Sequence, residues 1–311
     1  MATRRVEETL ERMSALREAA PAEAIPALRK ALTDRVNVVV AKAAKIAAGR
    51  QFTELIPDLL AAFDRLFEQP VERDPQCWGK NALAAALRDL EYRESAPFRR
   101  GIRYVQMEPV WGKHEDTAQS LRGICLLALI ACADVQRGEI LRCLVEALTE
   151  PEAVVRAEAV RGLAEMDGDE AALLLRMKAR LGDEEPRIAG QVFDALWKVE
   201  GEAALPFVAA FLKSKSPEVC EEAALALGAS RFAGSVHYLR EACGSARDPR
   251  FREVLFRSLG LSRQPEALEY LKGILKIGRP ADVKAVIDAL KLHGENPEIQ
   301  RLIEEVEAER R

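Results

Sequence analysis

Five stretches decide how this chain folds: AVVRAEAVRGL (153–163), PRIAGQVFDAL (186–196), PEVCEEAALAL (217–227), PRFREVLFRSL (249–259) and PADVKAVIDAL (280–290). Their terminal leucines are 33, 31, 32 and 31 residues apart. Eight positions before each leucine stands Val155, Ile188, Val219, Phe251 or Asp282, and two positions between, such as Ala159 and Val160 or Val192 and Phe193, are apolar in every copy. Apolar residues at 0, +4, +5 and +8 form one stripe on a helix of 3.6 residues per turn, so each copy reads as an amphipathic helix. Asp282 alone breaks the column. Pro186, Pro217, Pro249 and Pro280 each stand two residues before the column, twice preceded by an N-cap residue, Ser216 or Asp248, which is the signature of a helix start. A second helix precedes each of these and ends at Leu148, Leu181, Leu212, Cys243 or Leu275. The repeating unit is a helical hairpin.

The same column extends upstream through Leu121, Cys125, Leu126 and Leu129, then Leu83, Ala84 and Leu87 in the helix of Lys80, then Val38, Lys42, Ala43 and Ile46. That makes about eight hairpins, with a leading helix containing Val6, Leu10 and Met13 and a closing helix at 295–310 carrying Ile299, Leu302, Ile303 and Val306 on one side. Terminal helices with one polar face are what such an array needs as caps. Only 5% of the residues are aromatic and 31% are charged, with Ala and Leu abundant, a balance of helix formers rather than strand formers. The expectation is an all-α protein, a single α-solenoid over residues 1–311 wound as a right-handed superhelix.

Units of this length, carrying DPRFREVLFRSLG (248–260) and EPEAVVRAEAVRGLAEM (150–166), resemble HEAT-type repeats. The short 31–33-residue form is similar to the HEAT-like repeats of phycobilin lyases. The arginine of the motif is present at Arg156 and Arg252 and replaced at Ala189, Cys220 and Val283. The resemblance implies a fold and leaves function open, because the motif encodes helix packing.

The 311 residues carry a net charge of −4, a poor start for a nucleic-acid binder. Residues 1–50 sum to +4 and residues 151–200 to −4. The longest apolar run, Ile124 to Ala133, is half of what a bilayer span needs, and the first twenty residues lack a signal-peptide core, so a soluble cytoplasmic protein is expected. Five of the six cysteines, Cys125, Cys132, Cys143, Cys220 and Cys243, fall within helical patterns and read as reduced core thiols. His114, His237 and His293 are far apart in sequence, so no metal or cofactor is expected. No glycine-rich phosphate loop, nucleophile elbow or H-E-x-x-H motif is present, which weighs against the commonest enzyme classes.

The repeat is broken twice. Ile46 to Leu87 spans 41 residues and Leu87 to Leu129 spans 42. The excess falls in EQPVERDPQCWGK (68–80) and around EPVWGKHED (108–116), both read as long loops between the two helices of a hairpin. Equivalent turns of adjacent repeats share one rim, so these loops should be neighbours, with Trp78 and Trp111 side by side. The preceding PFRRGIRYVQM (97–107), read as a helix, turns Phe98, Ile102 and Val105 inward and leaves Arg99, Arg100, Arg103 and Gln106 outward with Tyr104 beside them. The helix of Ile124 and Leu127 is apolar all round and must be covered, by the loops or by a partner. Each candidate has a plain and a functional reading. Trp78 and Trp111 plug that apolar surface or form a binding platform. The arginines are a solvated face or an anion-binding cluster. Glu108 is a loop residue or an arginine partner. Asp116 with Gln119 is a capping box. Cys77 could pair with His114 across the loops. Together these imply a non-enzymatic protein-interaction scaffold, binding a protein or peptide with an acidic patch on its concave face and on this rim. A nucleic-acid site like that of HEAT-like DNA glycosylases, or a lyase or chaperone for a pigment or cofactor, are the alternatives.

Overall fold

Leu163, Leu196, Leu227, Leu259 and Leu290, the leucines that end the five columns, are all fully buried in a computed structural model that describes residues 2–110 and 112–309. The chain groups into two compact units, Met1–Met166 and Asp167–Arg311. In the first, α1 (Ala2–Ser14) leads, and the helices α2 (Pro21–Leu32), α3 (Asn37–Gly49), α4 (Ile56–Arg65), α5 (Pro70–Arg73), α6 (Trp78–Asp89) and α7 (Ala96–Gly101) follow. Strands β1 (Met107–Val110) and β2 (Lys113–Asp116) come next, then α8 (Gln119–Ile130), α9 (Arg137–Ala147) and α10 (Ala153–Met166). Helices α3, α6, α8 and α10 pack in that order as the inner row, backed by α2, α4, α7 and α9.

In the second unit the helices are α11 (Asp169–Leu181), α12 (Pro186–Glu200), α13 (Leu205–Ala209), α14 (Pro217–Ala229), α15 (Ser235–Ser245), α16 (Pro249–Ser262), α17 (Pro265–Ile277), α18 (Pro280–Leu290) and α19 (Pro297–Glu309). Here α12, α14, α16 and α18 form the inner row, and each begins on the proline of the repeat. The caps are made as the sequence implies: Ser216 Oγ accepts the Val219 N–H, and the Asp248 carboxylate accepts the N–H groups of Arg250 and Phe251. Asp282, the one polar member of the column, is held by both arms of Arg252, Nε to Oδ1 at 3.0 Å and Nη2 to Oδ2 at 2.8 Å. The departure in one repeat is thus matched by the motif arginine of the repeat before it.

Two local readings are corrected. Residues 108–116 are not an irregular loop: β1 and β2 form an antiparallel hairpin in which Val110 pairs with Lys113 and Met107 with Asp116. Between the strands Gly112 stands at φ +82°, a conformation that glycine adopts without a Cβ clash. The helix expected over 97–107 stops at Gly101, and the extended chain beyond it reverses two side chains. Val105 is 55% exposed and Gln106 is buried, because an extended chain alternates its faces where a helix would have grouped them.

Replacing Leu227 by Asp places a charge with no partner among Ala223, Ala224 and the neighbouring inner helices. It should lower unfolding free energy by several kcal/mol, read as a shift of the urea midpoint; a midpoint equal to the parent's would refute the column assignment.

Candidate functional site

The two insertions are joined by buried polar side chains. Asp74 and Lys80 are both fully buried and lie 3.0 Å apart. Asp74 Oδ1 accepts the Gly79 N–H at 2.7 Å and the Asn37 side-chain amide at 2.9 Å, while Oδ2 accepts the Lys80 N–H at 2.9 Å. A carboxylate on the first free N–H groups of a helix complements its positive end, so Asp74 caps α6 although it stands four residues before it. The Lys80 ammonium also donates to Leu66 O at 3.2 Å and lies 5.5 and 5.4 Å from the ring centres of Phe67 and Tyr104. The aromatic faces add cation–π attraction to an ion pair cut off from water. Gly79 completes the fit, since a Cβ there would come within 2.5 Å of Leu66 Cδ1 and 3.0 Å of Asp74 Oδ1.

Glu108 ties the hairpin to this core. Its Oε1 accepts the Gln76 N–H at 2.7 Å, the Gln106 side-chain amide at 2.6 Å and the Thr117 hydroxyl at 2.7 Å. Gln106 Nε2 donates as well to Asp74 O at 2.9 Å, and Tyr104 donates its hydroxyl to Gln106 Oε1 at 2.9 Å. The loops are therefore neighbours, as the repeat requires. Glu108 is a buried strand residue and, among the described residues, pairs with no arginine. Cys77 is buried beside Thr117, its thiol pushed up to about 11 chiefly by burial, so it is not an activated nucleophile; His114 is exposed on the hairpin opposite Pro109. At the base of the hairpin, Asp116 accepts from Ala118 N, Gln106 N and the Arg122 guanidinium. Its capping role thus goes to Ala118, and Gln119 reaches only the Asp116 carbonyl, at 3.4 Å.

What these contacts position is Trp78, the first residue of α6, which is 52% exposed. It stands on an open groove of about 660 Å³ along α3, α6 and α8. The floor is apolar, with Val38, Ala41, Ala82, Ala85 and Ile124, and the lining carries Arg17, Lys42 and Lys45 but no acidic residue. Among the described residues, none of these three cations has a carboxylate within 4.0 Å; Lys42 donates to the Ser14 hydroxyl at 2.7 Å. Ile124 is partly buried at this groove, whereas Leu127 is covered by the next repeat at the Gly162 position of α10.

The arginine row lies elsewhere. Arg99 pairs with Glu139 of α9, Arg100 with Asp64 of α4 at 3.0 Å, and Arg103 approaches Glu146 of α9 at 4.0 Å. The Arg100 guanidinium also stacks on Phe67 at 3.9 Å, and Arg103 lines a separate cavity of about 260 Å³ with Glu146 and Glu150. The structure therefore brings Trp78 together with Arg17, Lys42 and Lys45, and brings Arg99, Arg100 and Arg103 together with carboxylates. Trp111 lies outside the described residues. Sequence reasoning gave no role to Asp74, Lys80 and Asn37 and turned Gln106 outward; the available signal was a Lys held two residues into a helix with an Asp six positions before it. Among the described residues, no group of three His, Cys, Asp or Glu side chains is placed to hold a metal ion, and no helix is long and apolar enough to cross a membrane.

Lys80→Met leaves Asp74 charged and buried without its cation. It should cost about 3–5 kcal/mol in chemical denaturation, and adding Asp74→Asn should recover part of that loss. Burial alone would raise the Asp116 carboxyl, but the Ala118 N–H, Arg122 and the Gln106 N–H outweigh it and hold the group below the usual carboxylate range. Its contribution to stability is complete above the unfolded value of about 4 and is lost as pH falls through the lower folded value. Denaturation midpoints measured from pH 6 to pH 2 should drop less steeply for Asp116→Asn than for the parent.

A family model for HEAT repeats matches residues 141–227, 174–256 and 206–291. No curated protein matches the chain. Among solved structures it is similar to human deoxyhypusine hydroxylase in complex with glycerol, at 21% identity over 80% of this chain and 88% of that one, with a TM-score of 0.32. Two engineered proteins are similar at 17% identity, one over 96% of this chain and 86% of its own with a TM-score of 0.38, the other over 90% and 93% with 0.19. None of these three likenesses bears on function. The matched segments, which together span residues 141–291, contain the columns that end at Leu163, Leu196, Leu227, Leu259 and Leu290, and this part of the chain is built of HEAT repeats.

Proposed function

We propose that this chain is a non-catalytic protein-interaction scaffold, and that the groove of its first unit takes a protein partner through an acidic, amphipathic segment. The observation that carries this reading is the groove lining: an apolar floor, a half-exposed tryptophan, and three cations with no acid among them. Tryptophan on a rigid helix start offers large contact area at little entropic cost, and such residues dominate interface energetics. The cations favour an acidic partner and speed its encounter. A groove along helices suits the apolar face of an amphipathic segment, with the carboxylates of that segment on the Arg17, Lys42 and Lys45 side. In this reading the row of Arg99, Arg100 and Arg103 serves contacts between helices rather than the partner.

The test is affinity capture followed by titration of the captured partner against single variants. Trp78→Ala should weaken binding by about thirty-fold, the effect of a hot-spot residue, with a melting temperature close to the parent's. Lys42→Glu with Lys45→Glu should weaken it further and remove its salt dependence. Arg100→Glu with Arg103→Glu should leave it nearly intact. A partner lost in the arginine variant and retained by Trp78→Ala would move the site from the groove to the α7 face. Salt-dependent binding of nucleic acid through the same lysines would replace the protein partner with a polynucleotide.

A further inference from the structure

Gln76 and Cys77 adopt left-handed backbone conformations in succession, at φ 58° and 54°. Neither is glycine, and each such residue carries a conformational cost. Immediately after them α6 begins, and its first residue is Trp78. The helix start has little freedom to slide, because Gly79 is wedged between Leu66 and Asp74. Two acceptors hold the peptides on either side of Gln76: Glu108 Oε1 receives the Gln76 N–H, together with the Gln106 amide and the Thr117 hydroxyl, at 2.6–2.7 Å, and the Asp74 carbonyl receives the Cys77 N–H at 3.1 Å. Gln76 is itself exposed, but its N–H is held on the buried Glu108 carboxylate, which selects one orientation of the Pro75–Gln76 peptide.

We infer that Glu108 is a positioning residue for the groove: from the hairpin, it fixes the Pro75–Gln76 peptide, and with the Cys77 N–H held on Asp74 O this keeps Gln76 left-handed and so determines where α6 begins and how Trp78 stands. The hairpin inserted in the third repeat thereby sets the geometry of a surface on the second. The inference extends the groove reading in its consequence, but it concerns the free protein and is tested there, so either can fail without the other.

The experiment uses the full chain with Trp111→Phe and Trp197→Phe, so that Trp78 is the sole tryptophan. Glu108→Gln preserves size and removes the charge. Two quantities are read in the folded state: iodide quenching of Trp78 emission, and alkylation of Cys77 by iodoacetamide followed on its peptide by mass spectrometry. In Glu108→Gln, Cys77 should alkylate roughly ten-fold faster or more, the effect of weakening hydrogen bonds to a charged acceptor, and the Trp78 quenching constant should change. Adding Gln76→Gly, which makes the left-handed conformation free of Cβ strain, should return both readings to within about two-fold of the parent. A role confined to stability would lower the melting temperature of Glu108→Gln, leave quenching of folded Trp78 unchanged and gain no specific rescue from glycine at 76; that pattern overturns the inference. Should Glu108→Gln not fold, the double variant decides: recovery of the folded state supports the assignment, and failure to recover rejects it.

Discussion

Asp74 is a carboxylate without solvent, and the architecture of the first unit depends on how it is satisfied. Its two oxygens collect the N–H groups that open α6, the Asn37 amide from α3 and the Lys80 ammonium. Each partner comes from a different level of structure: a helix terminus, a neighbouring inner helix and a side chain folded back from α6 itself. A buried ion pair is weak evidence for net stability, since desolvation offsets much of its attraction. Its strength lies in discrimination: any other register of α6 leaves two buried charges without partners. The repeat supplies the layers, and this pair specifies how the irregular second layer sits among them.

The insertions are therefore one body rather than two loops. Gln106 and Glu108 carry the hydrogen bonding from Asp74 across to the hairpin, and Asp116 with Arg122 carries it into α8. Long connections on a helical scaffold ordinarily have room to move. Here two hydrogen bonds cross between the insertions, Gln76 N–H to Glu108 and Gln106 Nε2 to Asp74 O, and they tie the surface the insertions support to the fold. Trp78 owes its half-exposed position to that arrangement.

Much of the fold was legible because helix packing imposes a simple rule on sequence. The columns ending at Leu163 through Leu290, the prolines at helix starts and the caps at Ser216 and Asp248 follow directly from periodicity and from the unsatisfied N–H groups of a helix end. The hairpin was illegible for an equally physical reason. A strand with one buried face normally turns apolar residues inward, but here Glu108 is the buried residue while Met107 and Val105 face out, so the alternation is inverted. The repeated W-G-K shows the same limit. At Trp78 it opens a helix with its lysine fully buried, whereas Gly112 and Lys113 belong to a hairpin with the lysine exposed; the tripeptide has no fixed structure apart from what surrounds it. Arg99, Arg100 and Arg103 were correctly placed outward, yet their carboxylates lie on α4 and α9, at separations that no local pattern reveals.

The central claim is that the two insertions form one cooperative polar unit around Asp74 and Glu108. Native-state hydrogen exchange tests it most directly, through the amides of Gln76, Gly79, Lys80 and Thr117, whose acceptors are Glu108, Asp74, Asp74 and Gln106 in turn. The account predicts that all four are protected and open with one shared free energy and one shared dependence on denaturant, as a single unit does. Exchange of the Gln76 amide at the rate of an unstructured peptide while Gly79, Lys80 and Thr117 remain protected would contradict it.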